Sequence, residues 1–127
     1  MKWIKAARLR TCLNGNVRTV YMNLEEANLI VNQNFNESCS AAIALLNAGF
    51  KRAVVTNGGN KVTVAEKDSQ ITITPPNVGV VRVTGAGDVF MASHIQAELI
   101  GKQKETAINF ALNQTAKYIS GSEKLWK

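Results

Sequence analysis

The stretch Val83-Thr84-Gly85-Ala86-Gly87-Asp88 runs straight into Val89-Phe90-Met91-Ala92-Ser93. Small residues precede a carboxylate, and an apolar helical run starts directly behind it. Glycine at Gly85 and Gly87 opens backbone angles closed to other residues and lets a ligand approach the main chain. The first N–H groups of a helix lack intrahelical acceptors, and the helix dipole adds partial positive charge there. The pattern predicts an anion hole made by Gly85, Ala86 and Gly87, able to hold a phosphate or the charge on a phosphoryl group in flight. Asp88 stands beside it as the group that receives a proton from an attacking hydroxyl. The simpler alternative is a glycine turn capped by an aspartate.

Upstream, Val78 to Val83 reads as a strand, reached through the extended connector Pro75-Pro76-Asn77. Before it, Val62 to Glu66 and Ile71 to Thr74 alternate in polarity and predict a hairpin, with Lys67-Asp68-Ser69-Gln70 between them. Arg52 to Thr56 is a short, nearly continuous apolar strand of the kind buried on both faces, ending in the turn Asn57-Gly58-Gly59-Asn60. Glu37 to Ala48 predicts a helix with Ala41, Ile43, Ala44, Leu45 and Leu46 buried and Gly49 as its stop. Asn32 to Asn36 is a polar loop. Leu24 to Ile30 predicts a short helix with Asn23 as N-cap and Glu26 at the capping-box position. Arg18 to Met22 reads as a strand. Lys2 to Leu13 reads as a short amphipathic helix ended by Asn14-Gly15-Asn16. Downstream of Asp88, helices are expected from about Gly87 to Ile100 and from about Glu105 to Ile119. Helices alternating with buried strands place the chain in the α/β class, with a largely parallel sheet flanked by helices.

Thr84-Gly85-Ala86-Gly87-Asp88, with Ala92 and Ser93 one turn on, resembles the C-terminal signature of the ribokinase-like (PfkB) carbohydrate and nucleoside kinases. Two further segments resemble that family in the same order. Asn23-Leu24-Glu25-Glu26 looks like its N-x-x-E motif, which lies near magnesium and phosphates. The chemistry is suitable, because Mg²⁺ keeps most of its waters and is held through one or two carboxylates and the nucleotide. Val54-Val55-Thr56-Asn57-Gly58 looks like the strand end and loop that meet ATP, although Lys61 stands where a second glycine is usual. The resemblance implies an ATP- and Mg²⁺-dependent kinase acting on a sugar or nucleoside. It implies Asp88 as catalytic base, Gly85, Ala86 and Gly87 as anion hole, Thr56, Gly58 and Thr84 as ATP-binding residues, and Asn23 and Glu26 as contacts to Mg²⁺ through water. The family's adenine pocket draws on the region around Asn109 to Asn113. An aspartate that helps form a monovalent-cation site in the family is replaced by Arg82. Val83 in the motif looks most like the pseudouridine kinase branch. The resemblance further implies that residues 1–127 form one C-terminal segment of a ribokinase-like domain, without the N-terminal half and lid. An inactive fragment that folds and self-associates is the alternative, and a homo-oligomer or a missing N-terminal half supplied separately fits either reading.

The bulk properties set wide bounds. A length of 127 residues suits one domain, and 46% hydrophobic residues exclude a disordered chain. The net charge of +6 is spread along the chain with no basic run alternating with aromatics, so it does not argue for nucleic acid. No apolar run is long enough to span a bilayer, and the basic start, Met1 to Arg8, lacks a signal peptide's apolar centre. Cys12 and Cys39 are isolated and have no metal-ligand spacing, which fits free thiols in the cytoplasm. His94, the one histidine, is expected to be partly buried and structural, since Asp88 fills the base role.

Overall fold

Chain order in the computed structural model is β1 (Lys2–Lys5), β2 (Val17–Asn23), α1 (Leu24–Val31), α2 (Ser38–Asn47), β3 (Arg52–Thr56), β4 (Val62–Glu66), β5 (Ser69–Ile73), α3 (Ala86–Leu99) and α4 (Lys104–Ser120). The structure describes residues 2–5 and 17–121, with backbone alone for 2–5, 17 and 18. The chain divides into two units, Met1–Thr74 and Pro75–Lys127.

In the first unit the strands lie in the order β1-β2-β3-β4-β5. β1, β2 and β3 run parallel, whereas β4 and β5 are antiparallel additions. The α/β class stands, with a smaller share of parallel pairing than expected, because the β4–β5 hairpin follows β3 directly on its own edge. Val20 and Met22 of β2, Ala53 and Val55 of β3 and Ala65 of β4 share one face of the sheet. With Ala27 of α1 and Ala41, Ala42 and Leu45 of α2 they form a buried core. Tyr21, Val54 and Val64 are buried on the opposite face. Burial on both faces is why Arg52 to Thr56 reads as an apolar run without alternation.

α1 starts in a complete capping box. The Glu26 N–H donates to Asn23 Oδ1 at 2.7 Å, and the Asn23 N–H donates to Glu26 Oε1 at 2.9 Å. Asn32 closes the helix at a positive φ of 55°. The following loop is tied back by Asn28, whose side chain exchanges two hydrogen bonds with the main chain of Phe35 at 3.0 Å. In α2 the buried residues are Ser38, Ala41, Ala42 and Leu45. Ala42 thus takes a place on the inner face expected for Ile43 and Ala44, which are half-buried.

A run of hydroxyls joins α2 to the hairpin. Ser38 Oγ donates to the Lys61 carbonyl at 2.7 Å and lies 2.9 Å from Thr63 Oγ1, itself 2.9 Å from Thr72 Oγ1. Thr63 is fully buried, so its hydroxyl depends on those partners. Thr63→Val keeps the shape and removes the central oxygen. It is expected to cost about 1 kcal/mol, read as a lower urea midpoint at constant slope. An unchanged midpoint would mean that the run contributes nothing to stability.

Two expected elements differ. Lys2–Lys5 is a strand, not the start of a helix, because pairing with β2 gives its main chain partners along a ladder, which overrides a short amphipathic pattern. Residues 6–16, with Cys12 and the Asn14-Gly15-Asn16 turn, lie outside the described residues. The hairpin matches expectation, but β5 begins at Ser69, leaving Lys67 and Asp68 alone in the turn.

In the second unit α3 and α4 pack together. α3 buries Phe90, His94 and Ala97, and α4 buries Ala107, Ile108, Ala111, Leu112 and Ala116. Both sets recur at helical spacing. Gly101, at φ +89°, ends α3. The segment 78–83, expected as a strand, has no ladder. Val80, Val81 and Val83 are 62%, 74% and 69% exposed, so their apolar side chains find no sheet within this unit to bury them. Its main chain pairs with a helix end instead: the Val81 and Arg82 N–H groups both donate to the Ile119 carbonyl, at 2.6 and 3.0 Å. That carbonyl lies in the last turn of α4, where helical acceptors run out of internal donors.

Candidate functional site

Gly85 is the N-cap of α3 at φ +88°, a left-handed conformation that makes a sharp entry into the helix. The first intrahelical bond runs from the Val89 N–H to the Gly85 carbonyl at 3.0 Å. The Ala86 N–H donates to the Val83 carbonyl at 3.0 Å, so this amide is engaged within the turn. Gly87 and Asp88 follow in the first turn, where main-chain N–H groups have no acceptor inside the helix. The Asp88 carboxylate is exposed there, and Thr84 is exposed at the preceding turn. The glycine turn, its amides and the carboxylate therefore share one helix end, the place where the dipole stabilises negative charge.

One residue that the sequence reading passed over holds this turn. Tyr118, in the last turn of α4, donates its phenolic hydrogen to the Thr84 carbonyl at 2.6 Å. Its ring lies under the Arg82 guanidinium, 4.3 Å from Cζ, and its own carbonyl accepts from Arg82 Nε at 2.7 Å. Arg82 is thus half-buried and bonded to the negative end of α4, not a solvent-facing arginine. A Cβ on Gly85 would lie 2.9 Å from Tyr118 Oη, so a larger residue there has to displace the phenol as well as adopt the left-handed angle. No local pattern in the sequence marks Tyr118, because its contact spans 34 positions.

His94 is fully buried rather than partly so, stacked on Phe90 with ring centroids 5.8 Å apart. Its Nε2 lies 3.7 Å from Glu98 Oε2, one helical turn on. Asn109 and Asn113 are exposed one turn apart on α4.

The other motif residues fall in the first unit. The register of the parallel pair sets Asn23, the last residue of β2, beside Thr56, the last of β3. Two motifs far apart in sequence thereby meet at the carboxyl ends of neighbouring parallel strands, where ligands of α/β sheets bind. Glu26 is bound to Asn23 through the capping box, which engages Oε1. Gly58 takes a positive φ of 57° in the loop after Thr56. Beside this loop lies a cleft of about 530 Å³, walled by residues 36–39, Asn57, residues 59–61, Thr72 and Thr74. Lys61 is one of its walls.

Among the described residues no group of three or more His, Cys, Asp or Glu side chains gathers to hold a metal. One carboxylate and one amide fit a magnesium ion whose remaining ligands are waters and nucleotide phosphates. Cys39 is a free, half-buried thiol. No helix among the described residues is long and apolar enough to cross a membrane.

Solved structures with the same fold support these assignments of elements. Thermotoga maritima ribokinase matches with a TM-score of 0.78 at 23% identity, over 93% of this chain and 42% of that one. An Escherichia coli protein assigned as ribokinase II, in complex with ATP and Mg²⁺, matches with a TM-score of 0.73 at 22% identity, over 84% of this chain and 34% of that one. Adenosine kinase of Trypanosoma brucei brucei matches with a TM-score of 0.76 at 18% identity, over 93% of this chain and 42% of that one. The chain spans about two fifths of the length of such structures. Among curated proteins, none matches it. The model of the pfkB family carbohydrate kinases matches residues 2–122, and by that match, on the ribokinase-like α/β fold just described, this chain belongs to the pfkB family of carbohydrate kinases.

Proposed function

We propose that this chain carries the ATP-binding, anion-stabilising and proton-accepting part of an enzyme that moves the γ-phosphoryl group of ATP to a hydroxyl of a sugar or nucleoside. The observation that carries the reading is the helix end at Gly85–Asp88, with its positive-φ glycine and its carboxylate in the first turn. In the reaction the acceptor oxygen forms a bond to phosphorus as the bond from phosphorus to the β,γ-bridging oxygen breaks. Transition states of this kind are loose, so the protein mainly positions groups and stabilises charge. Gly85 and Gly87 give the developing charge main-chain N–H donors, and Ala86 joins them by exchanging its bond to Val83. Asp88 orients the acceptor hydroxyl and takes its proton. Thr56, Gly58 and Thr84 contact the nucleotide. Magnesium, reached from Asn23 and Glu26 through water, neutralises phosphate charge when bound.

In this reading residues 1–127 are the C-terminal segment of a longer, cytoplasmic kinase. A second reading is an inactive fragment that folds and self-associates. It is favoured by the exposed Val80, Val81 and Val83 and by β1, which ends the sheet among the described residues.

A transfer assay tests both. The 127-residue chain alone, and a chimera completing it with the N-terminal part of a ribokinase, are offered ATP with pseudouridine, ribose, fructose or adenosine. The chain alone is expected to show no transfer above background, because it spans about two fifths of a ribokinase and Asp88 by itself does not hold a whole acceptor in line with the γ-phosphate. It is expected to elute above its monomer mass. The chimera is expected to phosphorylate at least one acceptor. A monomeric chain active by itself would overturn the fragment reading, and a folded chimera inert on every acceptor would count against the kinase reading.

A further inference from the structure

We propose that Tyr118 is a positioning residue for the anion turn, acting through the main chain of Thr84 and Gly85 and not through contact with substrate. The proposal rests on the reading of Gly85–Gly87 as the anion hole. Its basis is the number of constraints that one side chain applies to one short segment. The phenol takes up the Thr84 carbonyl at 2.6 Å. That carbonyl is the one four residues before Asp88, the position from which a helix would draw the Asp88 N–H backward. The ring carries the Arg82 guanidinium on its face at 4.3 Å, and the Tyr118 carbonyl accepts from Arg82 Nε at 2.7 Å. Ile119, the next residue, accepts from the Val81 and Arg82 N–H groups. Val81, Arg82 and Thr84 are therefore held to the end of α4, and Gly85 begins where that hold stops.

The absence of a side chain at Gly85 completes the fit. Any Cβ there would stand 2.9 Å from the phenolic oxygen, too close without a shift. Gly85 leaves room for the phenol, and the phenol in turn fixes the carbonyl preceding Gly85. A turn immobilised before ligand arrives presents its donors at no ordering cost on binding, which is how pre-organised electrostatic sites gain over flexible ones. In a flexible glycine turn the same amides would need ordering first.

Tyr118→Phe tests this in the 127-residue chain, because it retains the ring under Arg82 and removes only the oxygen. ATP with Mg²⁺ is titrated into both proteins, well below their melting temperatures, while ¹⁵N relaxation reports order at residues 84–88. The wild type is expected to bind ATP with shifts at Gly85 and Gly87. Tyr118→Phe is expected to raise the Kd about three- to tenfold, the scale of one lost hydrogen bond. It is also expected to lower amide order at Gly85 and Gly87 while α3 beyond Phe90 stays unchanged. A purely structural role would lower Tm and leave the Kd of the folded protein unmoved, and that outcome overturns the proposal. An unchanged Kd with unchanged order at Gly85 does the same. A wild type that binds ATP with no shift at Gly85 and Gly87, or does not bind it at all, overturns the anion-turn reading itself and the proposal with it.

Discussion

Asp88→Asn, in a kinase completed from this chain, is expected to lower kcat by at least ~10²-fold while ATP affinity and helical content stay as they are. Asparagine has nearly the same shape and suits the first turn of a helix, so α3 retains its start. It cannot take the proton that leaves the acceptor hydroxyl. The loss corresponds to about 2.7 kcal/mol of transition-state stabilisation. Because the group acts during transfer and not on nucleotide binding, the change is expected in kcat with the KM for ATP nearly constant. Turnover within a few-fold of the parent would remove Asp88 from proton transfer and reduce it to a helix-end charge.

Gly85→Ala is expected to destabilise the second unit more than Gly101→Ala, and the comparison isolates a single contact. Both glycines sit at almost the same angle, φ +88° and +89°. Alanine at either position pays the left-handed penalty, about 1–2 kcal/mol. Around Gly101 a Cβ meets nothing within 4 Å, whereas at Gly85 it meets the Tyr118 hydroxyl. Displacing that hydroxyl adds about 1 kcal/mol for its bond to Thr84. The sum at Gly85 is roughly 2–3 kcal/mol, measurable by urea unfolding. In a Tyr118→Phe background the extra cost at Gly85 is expected to shrink toward that at Gly101, giving a coupling energy in a double-mutant cycle. Equal costs at the two glycines in the wild type would mean that the phenol moves aside freely.

The elements with their own punctuation were legible in the sequence. Asn23 and Glu26 write a capping box that forms as spelled, and Gly49 and Gly101 end α2 and α3 where the apolar periodicity stops. Arg52 to Thr56 declares its burial on two faces by its composition. What depends on a distant partner was not legible. The four residues of β1 are a strand only because β2 lies beside them. Residues 78–83 are β-branched and apolar enough for a strand, yet the N–H groups of Val81 and Arg82 go to a helix end. The pairing of Asn23 with Thr56 is a matter of register, which neither motif contains alone. Tyr118 escaped for the same reason: its role is defined by Thr84, Arg82 and Gly85, none of them near it in sequence.

The hold of α4 on the glycine turn also orders events in time. Residues 81–85 emerge from the ribosome before the residues that fasten them do. Tyr118 follows Thr84 by 34 positions. At about 5–20 residues per second, the turn waits on the order of seconds for its fastener. During that interval the nascent chain carries the glycine motif without its fixed shape. A ribosome stalled while α4 is still inside its exit tunnel and Asp88 already outside would therefore display the whole signature sequence and an unset turn, so nucleotide capture by the growing chain is expected to begin only after the end of α4 has emerged.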